Sequence, residues 1–169
     1  HLTAIVYLSI KYYNLKFFDI NTGYTSVGPN VVFTTNQGMN WIYEDAHNSI
    51  FLKNLTDGIG FSNYNFLLRT SNMGVNWTQI TTGFSDDLWD IVFINSQTGF
   101  TAGYNKIYKT TNEGLNWHIY NLGLQGWPPY VENIMFLDQN TGYAGIDGGR
   151  LAKTTNCGLN WEVYNTGNY

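Results

Sequence analysis

The residues with the means to do acid–base work are six carboxylates in the second half of the chain: Asp86, Asp87, Asp90, Glu132, Asp138 and Asp147. Two carboxylates facing each other across a cleft can hydrolyse a glycosidic bond, one as acid and one as base or nucleophile. Aligning the chain on Phe93 and Phe136 sets Asp90 opposite Asn133, and Trp89 opposite Glu132 and Tyr13. Asp90 and Glu132 therefore enter successive units at similar points and could line one mouth. Acidic residues in loops are more often simply solvated, so no catalytic residue is assigned. The same segments carry Trp89, Trp127 and Tyr130. Flat rings on loops give contact area at low entropy cost, which suits sugars and peptides. Trp89, Asp90, Trp127, Tyr130 and Glu132 are thus the expected ligand-binding patch. The plainer reading has each Trp filling a gap between structural units.

Other chemistries find less support. His1, His47 and His118 have no metal-ligand spacing, Asp86-Asp87 with Asp90 is a thin basis for calcium, and no metal is expected. Gly145 to Gly149 lacks the following helix and Lys of a phosphate loop and reads as a turn, so no cofactor is expected. The net charge of −4 with only Arg69 and Arg150 as arginines argues against nucleic acid. No apolar run is long enough for a membrane helix, so membrane insertion is not expected. A single cysteine, Cys157, allows no internal disulfide. The chain lacks an initiator Met and reads as a mature or partial segment.

The elements that must hold these residues are set by a repeat. Phe33 to Trp41 reads FTTNQGMNW, Arg69 to Trp77 RTSNMGVNW, Lys109 to Trp117 KTTNEGLNW and Lys153 to Trp161 KTTNCGLNW. The Trp residues are 36, 40 and 44 positions apart, a period that points to propellers or solenoids. Each copy follows an apolar strand, a turn (Asn21-Thr22-Gly23, Thr56-Asp57-Gly58, Gln97-Thr98-Gly99 or Asn140-Thr141-Gly142), a second strand and a third. Gly in those turns is expected to supply a positive φ. Trp opens a fourth strand, which ends at Gly83, Gly123 and Gly167. Four short strands per unit of about 40 residues make the blade of a β-propeller, and aromatics at 17% with charged residues at 12% fit an all-β chain.

Within the motif the Asn side chain can accept backbone N–H groups and close a turn. Gly two positions on tolerates the left-handed conformation, and Trp three further on packs beneath. The structural turns are then Asn36, Gly38, Trp41; Asn72, Gly74, Trp77; Asn112, Gly114, Trp117; and Asn156, Gly158, Trp161. Cys157 occupies the tolerant position also held by Gln37, Met73 and Glu113.

These four copies resemble Asp-boxes, the Ser/Thr-x-Asp-x-Gly-x-x-Trp hairpins also known as bacterial neuraminidase repeats, with Asn in place of the usual Asp. The wider pattern resembles the photosystem II assembly-factor type of propeller and related secreted bacterial propellers, across nearly the whole chain. The resemblance implies boxes at blade edges, away from the central pocket. Sialidases of this kind hold a substrate carboxylate with three arginines; two arginines cannot build that triad, which excludes sialidase activity for this chain alone. The assembly factors are known for a basic, Arg-rich surface, and a sequence pI near 5.1 does not match it.

The sequence thus predicts an all-β protein, a β-propeller of four-stranded antiparallel blades near 14–47, 48–84, 85–123 and 124–169. Residues 1–13 form a closing or leftover strand. The expected function is a non-catalytic binding or scaffold module, extracellular or on a bacterial cell surface, recognising protein or glycan. A structural subunit of a surface assembly and a fragment of a glycosidase are the alternatives. Self-association, or further blades from a longer chain, would enlarge the ring.

Overall fold

The computed structural model describes residues 12–27, 30–44, 49–52, 56–61, 66–72, 76–84, 87–125 and 129–167. Trp127, Gly74, Met73, Asp86, most of the leading segment 1–13 and two of the three histidines, His1 and His47, lie outside these residues.

Among the described residues, sixteen strands form four separate sheets of four. The first sheet holds β1 (Tyr12–Phe17), β2 (Gly23–Val27), β3 (Asn30–Thr34) and β4 (Ile42–Glu44). The second holds β5 (Ser49–Leu52), β6 (Gly58–Phe61), β7 (Leu67–Thr70) and β8 (Thr78–Ile80). β9 (Asp90–Phe93), β10 (Gly99–Ala102), β11 (Lys106–Thr110) and β12 (His118–Asn121) make the third. β13 (Val131–Phe136), β14 (Gly142–Ile146), β15 (Arg150–Thr154) and β16 (Glu162–Asn165) make the fourth. Every sheet is an antiparallel meander in which each strand pairs with its neighbours in sequence. The first strands adjoin one another in order, β1 to β5, β5 to β9 and β9 to β13, as propeller blades do around an axis. Tyr12 and Tyr13 already belong to β1, so the first blade starts slightly earlier than the sequence predicts.

The core lies between blades, because period-two alternation gives each sheet two apolar faces. Blade 3 turns Phe100, Ala102 and Ile107 towards Ile134, Ala144, Ile146 and Ala152 of blade 4. Its other face puts Ile91, Phe93 and Tyr108 against Ile59, Phe61 and Leu67 of blade 2. Tyr24 and Phe33 of blade 1 meet Trp77 of blade 2.

Each box is a hydrogen-bonded cap. In the fourth, Asn156 Oδ1 accepts the Asn160 N–H at 3.0 Å, so the side chain closes the turn across four residues and not across the two of an Asx turn. Thr154 Oγ1 donates to Asn156 Oδ1 at 3.0 Å and accepts the Gly158 N–H at 2.9 Å. The same Thr–Asn pair recurs at Thr34–Asn36, Thr70–Asn72 and Thr110–Asn112. Gly38, Gly114 and Gly158 have φ of +81°, +86° and +71°, as the sequence predicts. The residue before each is left-handed too: Gln37, Glu113 and Cys157.

The Thr-Gly turns differ from expectation. Gly23, Gly99 and Gly142 are strand residues and not among the positive-φ glycines. A Cβ there would come within 2.8 Å of Phe17, 2.7 Å of Phe93 or 2.7 Å of Phe136. Glycine is required by the ring lying across it. The turn is closed instead by the residue two after that ring. Asp19, Asn95 and Asp138 each accept two backbone N–H groups through Oδ1 at 2.7–3.0 Å. Those bonds hold the Asp19 and Asp138 carboxyls below the usual carboxylate range.

Candidate binding site at the loop end of blades 3 and 4

The boxes and the Thr-Gly turns occupy one end of the blades, tied together by backbone bonds such as Glu113 N–H to Gln97 O and Cys157 N–H to Asn140 O, both 2.9 Å. The opposite end is built differently. There β9 and β13 begin, β10 returns, and β11 leaves through a tight turn at Gly103-Tyr104-Asn105. Asn105 is left-handed, with φ of 51°. Its side chain brackets Leu124, accepting the Leu124 N–H at 3.1 Å and donating to Leu124 O at 3.3 Å.

A backbone bridge joins this turn to the entry of blade 4. Tyr104 pairs with Tyr130, the Asn105 N–H donates to Pro129 O at 2.9 Å, and the Val131 N–H donates to Gly103 O at 3.1 Å. The bridge brings three rings together. Trp89 meets Tyr130 edge to face with centroids 5.3 Å apart, and Tyr104 meets the same ring at 5.7 Å. Trp89 remains 47% exposed and Tyr104 40% exposed. The sequence-predicted pair Trp89 and Tyr130 is thus brought together. Tyr104, which sequence reasoning missed, completes the cluster. Its signal was present in Gly103-Tyr104-Asn105, a turn carrying an aromatic outside the repeat consensus.

The two carboxylates are not alike. Asp90 is half-buried, and both its oxygens are committed: Oδ1 accepts the Ile91 N–H at 2.8 Å and Oδ2 the Ile134 N–H at 2.9 Å. It clamps the start of blade 3 to the first strand of blade 4. Burial pushes its carboxyl up to about 6 despite those two bonds. Glu132 sits where the β13–β14 register slips between Val131 and Asn133, so it is the extra residue of a bulge and is exposed. Among the described residues, no hydrogen bond or ion pair joins Glu132 to Asp90 or to the rings. Asp147 lies in the β14–β15 hairpin, whose Gly148 and Gly149 have positive φ, so this glycine run is a turn, as its sequence indicates. Arg150 donates from Nε to Asp147 O at 3.0 Å and so braces that hairpin.

No protein-family model and no curated protein sequence matches the chain. Solved structures do. YCF48 bound to D1 peptide superposes with a TM-score of 0.55 at 16% identity, over 92% of this chain and 69% of that one. YCF48 from Cyanidioschyzon merolae gives 0.66 at 14% identity, over 97% of this chain and 61% of that one. A GH74 enzyme of Niastella koreensis gives 0.59 at 15% identity, covering 90% of this chain and 30% of that one. The chain therefore spans well under the full length of these proteins, and likeness at such identities speaks to fold. The fold is all-β, four antiparallel four-stranded sheets among the described residues, arranged as in part of larger β-propellers. It is shared by a photosystem assembly factor and by glycoside hydrolases, so fold does not choose between binding and hydrolysis.

Proposed function

We propose that this chain is a non-catalytic binding module that recognises an extended segment of a partner protein on the Trp89–Tyr104–Tyr130 cluster. The observation that carries this reading is the cluster itself: three aromatic rings, two of them largely exposed, gathered at the end of the blades where the repeats differ. Rigid aromatics held by a backbone bridge are suited to anchoring a peptide. A YCF48 propeller solved with a peptide supports a protein ligand over a glycan. Asp90 would act as the clamp beneath the cluster. Its raised pKa is the kind of perturbation found in acid catalysts. Each of its oxygens already accepts one backbone N–H group, which ties the side chain to the scaffold of blades 3 and 4. A location outside the cytoplasm, at a cell surface, belongs to the same proposal and rests on the low charge of the chain.

A random peptide display library and a glycan array, each probed with the wild type and with Trp89→Ala/Tyr130→Ala, test this. Peptide enrichment that the double variant loses is expected. Failure to select any peptide, or selection indifferent to both substitutions, would overturn the reading, and glycan binding lost in the variant would move it to a sugar ligand.

A further inference from the structure

The aromatic cluster has a charge pattern around it that narrows its ligand. Three carboxylates flank the rings, each close to one of them along the backbone. Asp87 lies two residues before Trp89, and its carbonyl packs against the turn that carries Tyr104: a Cβ on Gly103 would stand 3.5 Å from Asp87 O. Asp147 donates its N–H to Tyr130 O at 3.0 Å. Glu132 is the bulge residue two positions after Tyr130. All three are exposed, and among the described residues none has a side-chain hydrogen bond or an ion pair.

The basic residues of blades 3 and 4 do not answer them. Lys106 and Arg150, at the same end, are half-buried and already engaged. Arg150 donates from Nε to Asp147 O at 3.0 Å and from Nη1 to Gln125 O at 3.4 Å, so its guanidinium braces backbone. Lys109 and Lys153 each precede a box Thr at the opposite end. That box end treats its carboxylates differently. Asp19 and Asp138 each accept two backbone N–H groups, and Glu113 pairs with Arg69 at 3.3 Å. The loop end thus gathers acidic side chains that the fold itself does not use. A surface lined by one sign of charge concentrates ligands of the other.

The rings favour the same guest. A cation over the face of Trp or Tyr is drawn by the ring quadrupole, and a guanidinium also stacks flat on it. The molecule makes this contact internally: Lys109 Nζ stands 5.6 Å over the Phe100 ring, and Lys153 Nζ 5.7 Å over Tyr143. Trp89 and Tyr104 are exposed and have no such cation over them among the described residues.

We infer that the segment bound on the Trp89–Tyr104–Tyr130 cluster is a basic one. An Arg or Lys side chain stacks on the exposed rings, and further basic residues along the same segment meet Asp87, Glu132 and Asp147. This rests on the reading of the cluster as a peptide site and adds the charge of its ligand. The net charge of −4 acts in the same direction, drawing a basic segment from solution and making the encounter sensitive to salt.

Fluorescence anisotropy with two labelled peptides tests this, one alternating Arg with Gly and the other Glu with Gly. The proteins are the wild type and the triple variant Asp87→Asn/Glu132→Gln/Asp147→Asn, whose changes are isosteric and on the surface; circular dichroism confirms that it is folded. The wild type should bind the Arg peptide in preference to the Glu peptide, and more weakly as salt rises. The triple variant should raise the Kd for the Arg peptide by about tenfold or more and lose most of the salt dependence. No binding of the Arg peptide, a preference for the Glu peptide, or a triple variant that binds as the wild type does would each overturn the inference. The random display library separates this failure from that of the peptide site. Enriched sequences without Lys or Arg, lost in Trp89→Ala/Tyr130→Ala, would overturn the basic ligand alone; no enrichment would overturn both.

Discussion

The two ends of the blades obey different rules. At the box end the same Thr, Asn and Gly positions produce the same bonds in successive blades, within about 0.1 Å at the Thr–Asn contact. At the loop end the described residues of blades 3 and 4 differ: Asp90 clamps a neighbouring strand, its blade 4 counterpart Asn133 accepts the Gly145 N–H at 3.3 Å within its own sheet, and Glu132 is thrown out on a bulge. The repeated end carries the mechanical work of stacking blades. The irregular end is where side chains differ without unsettling that stack.

The sharpest way to break this comparison lies at the box glycines, which share a φ but not a neighbour. Gly158→Ala must accept both a left-handed φ and a collision with Phe100, at a cost of about 3 kcal/mol, while Gly38→Ala meets only the backbone strain, about 1 kcal/mol. Equal destabilisation of the two in urea unfolding would show that boxes do not stabilise by docking on the preceding blade. At the irregular end a pH titration separates the clamp from its surroundings. Asp90 binds its proton more tightly folded than unfolded, since its carboxyl stands near 6 against an ordinary 3.8. Its contribution is therefore fully present below about pH 4 and is lost as the pH rises through 6, by up to about 3 kcal/mol. Asp90→Asn should flatten that part of the stability profile; an unchanged slope between pH 4 and 6 would remove the burial argument. The smallest effect is expected at Trp89, where substitution by Ala should shift stability by only about 0.5 kcal/mol. A large loss would make the ring a structural plug and not a contact residue.

The fold was legible because a box states its chemistry locally. Asn, Gly and Trp occur at fixed offsets, and each does in space what its type allows. What the sequence reading missed is set by contacts that form only once the chain has folded back on itself. The Thr hydroxyl at the first box position is a hub for three groups, though Thr there reads only as a strand end. Gly23, Gly99 and Gly142 read as turn residues because Thr-Gly is a turn dipeptide. Their true constraint is a Phe ring six residues earlier in each case, a spacing visible in the chain but meaningful only once the hairpin is closed. The candidate site was half legible. Trp89 and Tyr130 stand out as aromatics beyond the consensus, but their meeting depends on the backbone bridge at Tyr104. Asp90 could not be told from Glu132 by type. One falls on a regular strand position beneath a neighbour's N–H and the other on an inserted residue, a difference of register that no single-strand pattern reveals.

The meander of each sheet also bears on how the chain acquires its structure. Every sheet pairing among the described residues is a hairpin between consecutive strands, so no strand finds its sheet neighbour far away in sequence. Closing such short loops costs little entropy and is fast compared with long-range pairing. A blade can therefore form as soon as its own residues are available, and each finished blade gives the next a surface on which to assemble. Folding by addition in this manner keeps few strand edges waiting for distant partners.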